Sequence, residues 1–543
     1  MTVSTSESQV LPRWLLPGAT TVGLIVWATR LVGLLTLAAV MFPVARRHFH
    51  DPLTVWFDLP VQATVAGRAI ATVAGVCLLL LATGLRRRKR RAWQVVVGVT
   101  ALIAVVHLLV HRTPVPGITA IALLIVLITY QGEFTALPDP AVSKWRALRI
   151  FVEILLAGAV INTLVLTLHH NRDLDSPTAI GVAFGLGAVV IGGYFLLRSA
   201  EPAPSLSPAD VAGLRALMGA DSLDYFALRR DKSAVFSASA KSAIAYRVLA
   251  GVALTSGDPL GDVEAWPGAI EEYLAICQRH AWVPAVLGCS ERAATVWSRY
   301  GLDVLELGDE AIVDVSDFTL EGRRMRGVRQ AVARVRRSGY EVQVRRTAEI
   351  PPATHEALAK LADEWRGTAT ERGFSMALSR LADEEDGRCV VVTAEQAGSV
   401  RGMLQFVPWG CDGLSLDLMR RDRDVPDNGL NEFMITSLLA ASPGLGVRQV
   451  SLNFAMFRAA LERGERIGAG PVARLWAKAL RLGSRWWQIE SLYRFNAKFA
   501  PRWLPRYLVF PAARDLPRIA LAAIEAEGFG GRPPALLRML RRH

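Results

Sequence analysis

A strand-like run, GLSLDLMRR, ends with an acid and a guanidinium three residues apart, Asp417 and Arg420. At the exit of a strand, such a pair can orient an amine and a phosphate and can support acid–base chemistry. The segment PDNGLNEFM then predicts the start of a helix, with Glu432 in its first turn, where the helix dipole favours a carboxylate. These three residues are candidates for catalysis. The alternatives are a structural ion pair for Asp417 and Arg420 and a helix cap for Glu432.

The stretch SLYRFNAKFAPRWLPRYLVFP, residues 491–511, combines cations with aromatic residues and three prolines. The prolines remove backbone donors, which predicts a rigid, kinked loop instead of one continuous helix. Its cations recur at spacings of four: Arg494, Lys498, Arg502 and Arg506. Held on an aromatic frame, these cations suit a phosphate or a nucleic acid. The alternative is an amphipathic C-terminal element with core aromatics and ordinary surface arginines.

A second basic segment, EGRRMRGVRQAVARVRRSGYEVQVRR, carries nine arginines against two glutamates. It predicts a basic helix over 321–340 that ends near Gly339. A merely solvated helix face would mix charge signs, so this density favours contact with a polyanion, either anionic lipid headgroups or RNA. The predicted contact residues are Arg323, Arg324, Arg326, Arg329, Arg334, Arg336 and Arg337.

The composition excludes an ordinary soluble enzyme. Of the 543 residues 52% are apolar, and these are concentrated before residue 198, whereas the rest is typical of a globular protein. The net charge of +13 favours polyanionic partners, without choosing between nucleic acid and an anionic membrane. The five cysteines form no C-x-x-C pair and the nine histidines show no ligand spacing, so we expect neither a disulfide framework nor a metal.

Six apolar stretches approach the ~20 residues that cross a bilayer as a helix, near 15–42, 61–85, 93–110, 115–131, 148–168 and 178–197. The cations RRRKRR at 86–91 are expected on the cytoplasmic side, which by alternation places the 131–147 loop and everything after Arg198 there. The expected location is a multi-pass protein of the cell's inner (plasma) membrane. The N-terminus lacks a cleavable signal pattern, so the first stretch is expected to be retained. Arg30 interrupts that stretch, and either a partner in the membrane or an interfacial position would accommodate its charge.

The remainder predicts two similar successions of strands and helices. Helices are expected over 263–280 and 290–300 in the first succession and over 353–366 and 429–441 in the second. This order matches the acyltransferase fold typified by N-acetyltransferases. The expected fold class is an N-terminal all-α transmembrane bundle of about six helices followed by an α/β tandem acyltransferase (N-acetyltransferase-like) fold. The expected domains are a transmembrane domain (1–200), a linker (201–209), a first acyltransferase-like lobe (210–320), a basic inter-lobe helix (321–340), a second, catalytic lobe (341–515) and a C-terminal helical tail (516–543).

Motifs between residues 220 and 510 resemble one family in a single order. They are SGDPLGD, PAVLGCSE, LGDEAI, ERGFSMALSRL, VPWGCDGLSLDLMRR, LNFAMFR, GAGP, SRWWQIESLYRFNAKF and PRWLPRYLVFP. The sequence is similar to the lysylphosphatidylglycerol synthases, or multiple peptide resistance factors, and especially to the synthase portion of the actinobacterial bifunctional lysyl-tRNA synthetase enzymes. The resemblance implies an enzyme that moves an aminoacyl group, lysine by the nearest relatives, from aminoacyl-tRNA to phosphatidylglycerol at the cytoplasmic face, without a cofactor.

The resemblance also implies roles for individual residues. Asp417 and Arg420 match the family's Asp-Leu-Met-Arg pair, and Glu432 matches its helix-start acid. The implied substrate-binding residues are Asn453, Lys498, Arg506 and the adjacent Tyr507. In the implied transesterification, Asp417 or Glu432 would handle the proton, while Arg420, Lys498 and Arg506 would stabilise the oxyanion or the lipid phosphate.

The implied partners are lysyl-tRNA or another aminoacyl-tRNA, phosphatidylglycerol and the membrane. Because the sequence ends at His543 without a synthetase module, a separate aminoacyl-tRNA synthetase is expected to supply the donor. The sequence leaves open which amino acid is transferred, whether the membrane half moves the lipid product, and whether the chain forms a homo-oligomer.

Two other functions compete with this interpretation. A membrane-tethered acyl-CoA acyltransferase would carry a glycine-rich Q/R-x-x-G-x-G/A turn before the helix at 429–441, but the sequence there is DVPDNGLNEFM. A noncatalytic scaffold that binds lipid or RNA would use the same basic residues, with Asp417 and Arg420 in a structural role. Formation of an aminoacylated lipid separates the synthase from both.

Overall fold

The computed structural model describes residues 18–41, 61–110, 114–137, 149, 153, 184–188, 191–193, 201–219, 221–366, 373–381, 383–424, 428–456 and 489–528. The chain divides into two compact units. The N-terminal unit contains Met1–Glu201 and Ile276–Trp282, and the C-terminal unit contains Pro202–Ala275 and Val283–His543.

Helices occupy the first four apolar stretches that the sequence predicts. They are α1 (Gly18–Met41), α2 (Val61–Arg86), α3 (Arg90–Val105), which continues as a π-helical turn (Val106–Val110), and α4 (Pro114–Thr129). Within the described residues, two segments, Thr21–Ala39 and Arg90–Leu108, are long and apolar enough to cross a membrane by length and composition. The stretches near 148–168 and 178–197 lie almost entirely outside the described residues.

Small residues bring α1 and α2 together. A Cβ atom on Gly33 would lie 3.0 Å from the carbonyl oxygen of Gly75, so the two backbones approach each other at a distance that only glycine allows. On the same helix α1, the Arg30 guanidinium lies 5.9 Å from the centre of the Trp27 ring. A cation–π contact within the helix therefore accompanies this charge.

The RRRKRR segment forms a short turn between α2 and α3. Arg88 makes an ion pair with Glu133 at 3.1 Å, and its carbonyl oxygen accepts a hydrogen bond from the Ala136 amide at 3.0 Å. The segments 86–91 and 131–136 therefore lie at the same end of the N-terminal unit.

The C-terminal unit is built on one sheet of twelve strands. They are β1 (Ser233–Phe236), β2 (Ser242–Leu249), β3 (Val252–Ser256), β4 (Leu260–Gly261), β5 (Val283–Cys289), β6 (Asp303–Asp314), β7 (Tyr340–Arg346), β8 (Val390–Gln396), β9 (Ser399–Trp409), β10 (Gly413–Arg421), β11 (Gln449–Met456) and β12 (Arg502–Phe510). The order is β1-β2-β3-β5-β12-β6-β11-β10-β9-β8-β7, with β4 paired to β2.

The two central strands are exchanged between the halves of the sheet. We call β1–β5 the first half and β7–β11 the second half. β12 follows the second half in sequence but pairs with β5 of the first half, while β6 follows the first half and pairs with β11 of the second half. Each half contains one parallel pair, β3 with β5 and β10 with β11. The halves therefore repeat one order of elements and interlock at their centre.

Eight helices of the C-terminal unit are described. They are α5 (Pro208–Leu217), α6 (Trp266–His280), α7 (Glu291–Ser298), α8 (Arg326–Arg337), α9 (Pro352–Arg366), α10 (Leu430–Ala441), α11 (Ile489–Ala497) and α12 (Leu516–Ala526). The four helices expected from the hydrophobic pattern are confirmed within a few residues as α6, α7, α9 and α10. The basic helix is confirmed as α8, which is shorter than the predicted 321–340.

The stretch 491–511 is not the kinked loop that its prolines predict. It contains most of α11 and the whole of β12. Pro505 lies in the part of β12 that pairs with β6 alone, because pairing with β5 begins at Tyr507. Where one side of a strand has no ladder, a missing backbone N–H is tolerated.

Two apolar cores cover opposite faces of the second half of the sheet. On one face, Leu404, Leu414 and Leu416 pack with residues of α8 and α10. On the other face, Met403 and Leu418 pack with residues of α9. We call these the α10 face and the α9 face.

Candidate active site

The parallel strands β10 and β11 diverge at the position of two predicted site residues. Their register runs from Gly413↔Gln449 to Ser415↔Ser451, after which both strands are irregular. Asp417 lies at the register shift in β10, and Asn453 lies at the shift in β11 with a φ of +81°. In mixed sheets of this kind, ligands bind where the carboxyl ends of parallel strands separate. This edge is therefore the candidate active site.

The bulge in β10 places Asp417 and Arg420 on the same face of the sheet. In a regular strand, residues three apart point to opposite faces. Here Arg420 pairs with Met403, which lies on the α9 face, and Leu418 pairs with Gln405 on the same face. The Asp417 carboxylate accepts a hydrogen bond from the Gln405 side chain, so Asp417 also lies on this face. The bulge thus creates an acid and a guanidinium on one surface.

Neutral donors hold the Asp417 carboxylate. The Leu378 backbone N–H donates to Oδ1 at 2.6 Å, and Gln405 Nε2 donates to Oδ2. Gln405 is fully buried in β9 and also donates to the Arg380 carbonyl oxygen at 3.1 Å. These bonds fix the orientation of the carboxylate.

Leu378 and Arg380 belong to a segment that we call the strap, residues 373–381. Arg380 makes an ion pair with Asp386 at 2.9 Å, and Asp386 also accepts from the Tyr225 hydroxyl at 2.7 Å. Burial would raise the pKa of Asp386, but the Tyr225 hydrogen bond and the neighbouring arginines hold it below its ordinary value. The strap is thereby anchored beside Asp417.

Glu432 and Lys498 come together, although the sequence separates them by 66 positions. Glu432 Oε1 lies 2.7 Å from Lys498 Nζ, with side chains that are 11% and 47% exposed. The helix cap is Gly429, and no side chain caps it, so the capping role considered for Glu432 does not describe this helix start. The pair lies at the same edge of the sheet as Asp417 but on its α10 face.

Arg506 is buried and paired with carboxylates. Its guanidinium donates to Asp221 at 2.7 Å and also to Glu310, whose side chain is fully buried. Burial would lower the pKa of Arg506, but Asp221 and Glu310 raise it well above its ordinary value. Glu310 also accepts from Ser451 of β11, so this cluster joins the two halves of the sheet. Tyr507, the next residue, is half-buried in β12.

The cations at spacings of four do not form one surface. Arg494 is exposed, Lys498 binds Glu432, Arg502 binds Asp314 at 3.2 Å, and Arg506 is buried. Helix α11 ends at Ala497, so the periodicity of a helix does not extend through the stretch.

The basic helix α8 has one apolar and one cationic side. Val328, Val332 and Val335 are buried against α10 and the sheet. The predicted contact residues are all exposed: Arg323, Arg324, Arg326, Arg329, Arg334, Arg336 and Arg337. A Cβ on Gly429 would lie 2.9 Å from Ala331 Cβ, and the Arg336 guanidinium lies 5.9 Å from the Phe433 ring centre. The cationic surface therefore borders the helix start that carries Glu432.

Two contributors to the site were not predicted as such. Gln405 is a buried amide in the otherwise apolar run GMLQFVPW, and a polar residue at a core position of a strand is a detectable signal. Leu378 acts through its backbone N–H, for which a single sequence carries no signal. Among the described residues, no group of three or more His, Cys, Asp or Glu side chains could hold a metal ion.

The family model for phosphatidylglycerol lysyltransferase, C-terminal, matches residues 213–510. The chain belongs to this family. Curated proteins named lysylphosphatidylglycerol biosynthesis bifunctional protein LysX are also similar. The one from Rhodococcus opacus is 40% identical over 530 residues, covering 90% of this chain and 47% of that protein. The one from Mycobacterium avium is 39% identical over 562 residues, covering 95% and 47%. This family member thus spans about half the length of these relatives.

Two solved structures share the fold of the C-terminal unit. The structure of L-PGS from Bacillus licheniformis matches with a TM-score of 0.53 and 20% identity, covering 60% of this chain and 98% of that one. The C-terminal domain of a putative lysylphosphatidylglycerol synthetase from Agrobacterium fabrum matches with a TM-score of 0.50 and 23% identity, covering 59% and 98%. At these identities the likeness establishes the fold alone, and the expected α/β acyltransferase-like fold is confirmed for this part of the chain.

Proposed function

We propose that this protein transfers an aminoacyl group, lysine in the first instance, from aminoacyl-tRNA to the headgroup of phosphatidylglycerol. The observation that carries the proposal is the Asp417 carboxylate, fixed by Leu378 N–H and Gln405 where β10 and β11 diverge, in a member of this family. An oriented acid at the carboxyl ends of parallel strands suits proton transfer during acyl exchange.

The proposed reaction is a transesterification. A headgroup hydroxyl forms a new C–O bond to the ester carbonyl, and the C–O bond to the tRNA ribose breaks. Asp417 accepts the proton of the attacking hydroxyl and returns it to the departing ribose oxygen, so the enzyme is unchanged after one turnover. Arg420, on the same face as Asp417, supplies charge for the lipid phosphate or the oxyanion. The reaction uses an already activated ester and needs no cofactor.

The pair Glu432 and Lys498 is proposed to act at the other face of the same edge. Lys498 is about half exposed and paired with a nearly buried carboxylate, which supports a cation held in place for a phosphate or a carbonyl oxygen. Asn453 is proposed to contact substrate from the bulge in β11. Substrate contact by Arg506 and Tyr507 stays a prediction; the burial of Arg506 with Asp221 and Glu310 supports a role in joining the halves of the sheet.

The basic surface of α8 is proposed to bind the phosphate backbone of the tRNA donor. The seven predicted arginines, five in α8 and two just before it, are exposed, and Arg336 lies beside Phe433 in the first turn of α10; both observations support this role. The membrane is the alternative partner for this surface, and vesicle binding in the absence of tRNA would identify it.

A finer architecture is also proposed: two acyltransferase-like lobes in tandem, preceded by about six membrane-spanning helices with the C-terminal unit in the cytoplasm. The repeated order of elements in the two halves of the sheet supports the tandem, and the shared end of segments 86–91 and 131–136 supports the topology. Impermeant labelling of a single cysteine engineered within 205–215 is expected to fail in intact cells. Labelling from outside would contradict the topology.

Lipid extraction from cells that express the chain tests the function. A new cationic, ninhydrin-positive phospholipid is expected, and its hydrolysis identifies the amino acid. Cells that express Asp417→Asn provide the matched control. Absence of this lipid with retained binding of RNA or lipid would favour the noncatalytic scaffold, and labelling of lipid from acyl-CoA would favour the other acyltransferase.

A further inference from the structure

The strap is held at its beginning by a residue near the end of the described chain. Glu527 follows helix α12, and its carboxylate accepts three hydrogen bonds: from Phe374 N–H at 2.8 Å, Ser375 N–H at 3.1 Å and the Ser375 hydroxyl at 2.8 Å. The Glu527 carbonyl oxygen accepts a fourth, from Gly373 N–H at 3.0 Å. One residue thus satisfies three consecutive strap amides.

The strap itself is compact between this anchor and Asp417. Gly373 has a φ of +98°, and a Cβ there would lie 2.6 Å from Ala377 Cβ, so the turn requires glycine. Arg229 donates to the carbonyl oxygens of both Gly373 and Ala377, the latter at 2.8 Å. The next residue, Leu378, donates its N–H to Asp417 at 2.6 Å. Displacement at Glu527 therefore reaches Asp417 through one short turn, whose Gly373 and Ala377 carbonyl oxygens are bridged by Arg229.

Two basic side chains, Lys232 and Arg229, lie beside the Phe374 ring at the same anchor. Lys232 is buried with its Nζ atom 4.6 Å from the centre of the Phe374 ring, and it donates to the Ser256 hydroxyl at 2.7 Å. The Arg229 guanidinium also lies over that ring, at 5.8 Å. The beginning of the strap is therefore held between the side chains of Lys232 and Arg229 on one side and the Glu527 carboxylate on the other.

We propose that Glu527 is a positioning residue for the transfer reaction, which acts by holding the strap so that Leu378 N–H orients the Asp417 carboxylate. The match to the family model ends at residue 510. Glu527, which directly follows helix α12, therefore contributes to the site from outside the matched region. This inference rests on the proposed function of Asp417.

The test compares Glu527→Ala with Glu525→Ala, which removes the same charge two positions earlier. Glu527→Ala is expected to lower kcat for aminoacyl-lipid formation about 10- to 100-fold while KM for both substrates stays within about twofold, because a misoriented carboxylate affects chemistry more than binding. Glu525→Ala is expected to stay near the wild-type kcat. A kcat of Glu527→Ala within about twofold of the wild type would overturn the proposal.

Two milder variants keep the test decisive if Glu527→Ala does not fold. Glu527→Gln retains one oxygen acceptor for Ser375 and should recover most of the kcat. Ser375→Ala removes the hydroxyl hydrogen bond to Glu527 but keeps the Ser375 N–H bond, so its kcat should fall less than that of Glu527→Ala. Equal activity of Glu527→Gln, Ser375→Ala and the wild type, together with unchanged strap exchange in both, would overturn the proposal.

Hydrogen–deuterium exchange of the strap separates this inference from the proposed function. Faster exchange at Phe374, Ser375 and Leu378 amides in Glu527→Ala or Glu527→Gln is expected, whatever reaction the protein catalyses. If the wild type makes no aminoacylated lipid, the proposed function fails while the exchange result still tests the link from Glu527 to Leu378. Lost activity with unchanged exchange would contradict positioning through the strap.

Discussion

The two parallel strand pairs of the sheet diverge in the same way, but different side chains lie at the two points of divergence. In the first half, β3 and β5 run in register to Ser256↔Leu287, and Gly257 and Gly288 then take positive φ values of +73° and +72°. In the second half, β10 and β11 diverge after Ser415↔Ser451 at Asp417 and Asn453. At each divergence the regular ladder of the parallel pair ends.

Charged side chains of the protein itself fill the first divergence. Arg506 enters it from β12 and binds Asp221, Glu310 and, at 3.4 Å, the Gly288 carbonyl oxygen. Nearby, Asp258 accepts two hydrogen bonds from Ser290, and burial together with Asp221 raises the pKa of Asp258 to about 6. Within the described residues, Arg506 is thus paired with carboxylates of the protein itself.

The second divergence keeps its polar groups within reach of solvent. Asp417, Arg420 and Asn453 are half-buried, and the Lys498 side chain is 47% exposed, whereas Glu310 at the centre of the first cluster is 0% exposed. The comparison indicates that buried ion pairs close the first divergence, whereas the second stays accessible, as the proposed transfer reaction requires.

The first divergence is expected to respond in stability. Arg506→Leu leaves Asp221 and Glu310 buried without their cation, which should lower the free energy of unfolding by about 3–5 kcal/mol. Detergent-phase melting and expression yield measure this effect. The exposed Arg502→Leu on the same strand is the control. Normal stability of Arg506→Leu with lost transfer would instead assign Arg506 to the substrates.

The second divergence is expected to respond in activity. Asp417→Asn and Arg420→Lys should each reduce aminoacyl transfer on the order of 10²-fold, because one loses the base and the other loses the planar fork that binds a phosphate. Aminoacyl-lipid formation from labelled aminoacyl-tRNA is measured beside melting temperature. If activity falls only as much as the melting temperature does, Asp417 and Arg420 have the structural role of an ion pair and not a catalytic role.

The basic surface of α8 lies outside both divergences and should affect binding alone. Replacing Arg323, Arg324 and Arg326 with Gln should reduce the slope of log affinity for tRNA against log salt by about two, with turnover at saturation retained. Arg448→Gln is the control, because this exposed arginine directly precedes β11, at the strand end away from Asn453. Unchanged affinity at low and high salt would exclude α8 as a polyanion site.

The smallest expected effect concerns Lys232 in the first half. Burial and the neighbouring Arg229 lower the pKa of Lys232, Asp231 and Glu527 act in the opposite direction, and the net result is a pKa of about 7. An unfolded lysine titrates near 10.4, so the unfolded chain binds more protons above about pH 7 and stability should rise with pH, by about 1 kcal/mol between about pH 8 and pH 9. Lys232→Met should remove this rise in melting experiments; the same pH dependence in both proteins would contradict it.

The sequence by itself determined the local elements and the family. Helices such as α9 and α10 and the strands around GLSLDLM follow from hydrophobic periodicity, and the arginines of α8 are exposed because its valines occupy the buried side. These features depend on neighbours within one turn or one strand, so a single sequence contains the necessary information.

Only the tertiary structure decided which residues meet. The bulge at Asp417 sets the face of Arg420, the exchange of β6 and β12 buries Arg506, and hydrogen bonds across 66 and 152 positions join Lys498 to Glu432 and Glu527 to Ser375. Register shifts and strand order are fixed by contacts between distant segments, whose energies depend on the packed whole. The sequence therefore predicted candidate residues such as Asp417 and Lys498, but only the tertiary structure showed which residues they contact.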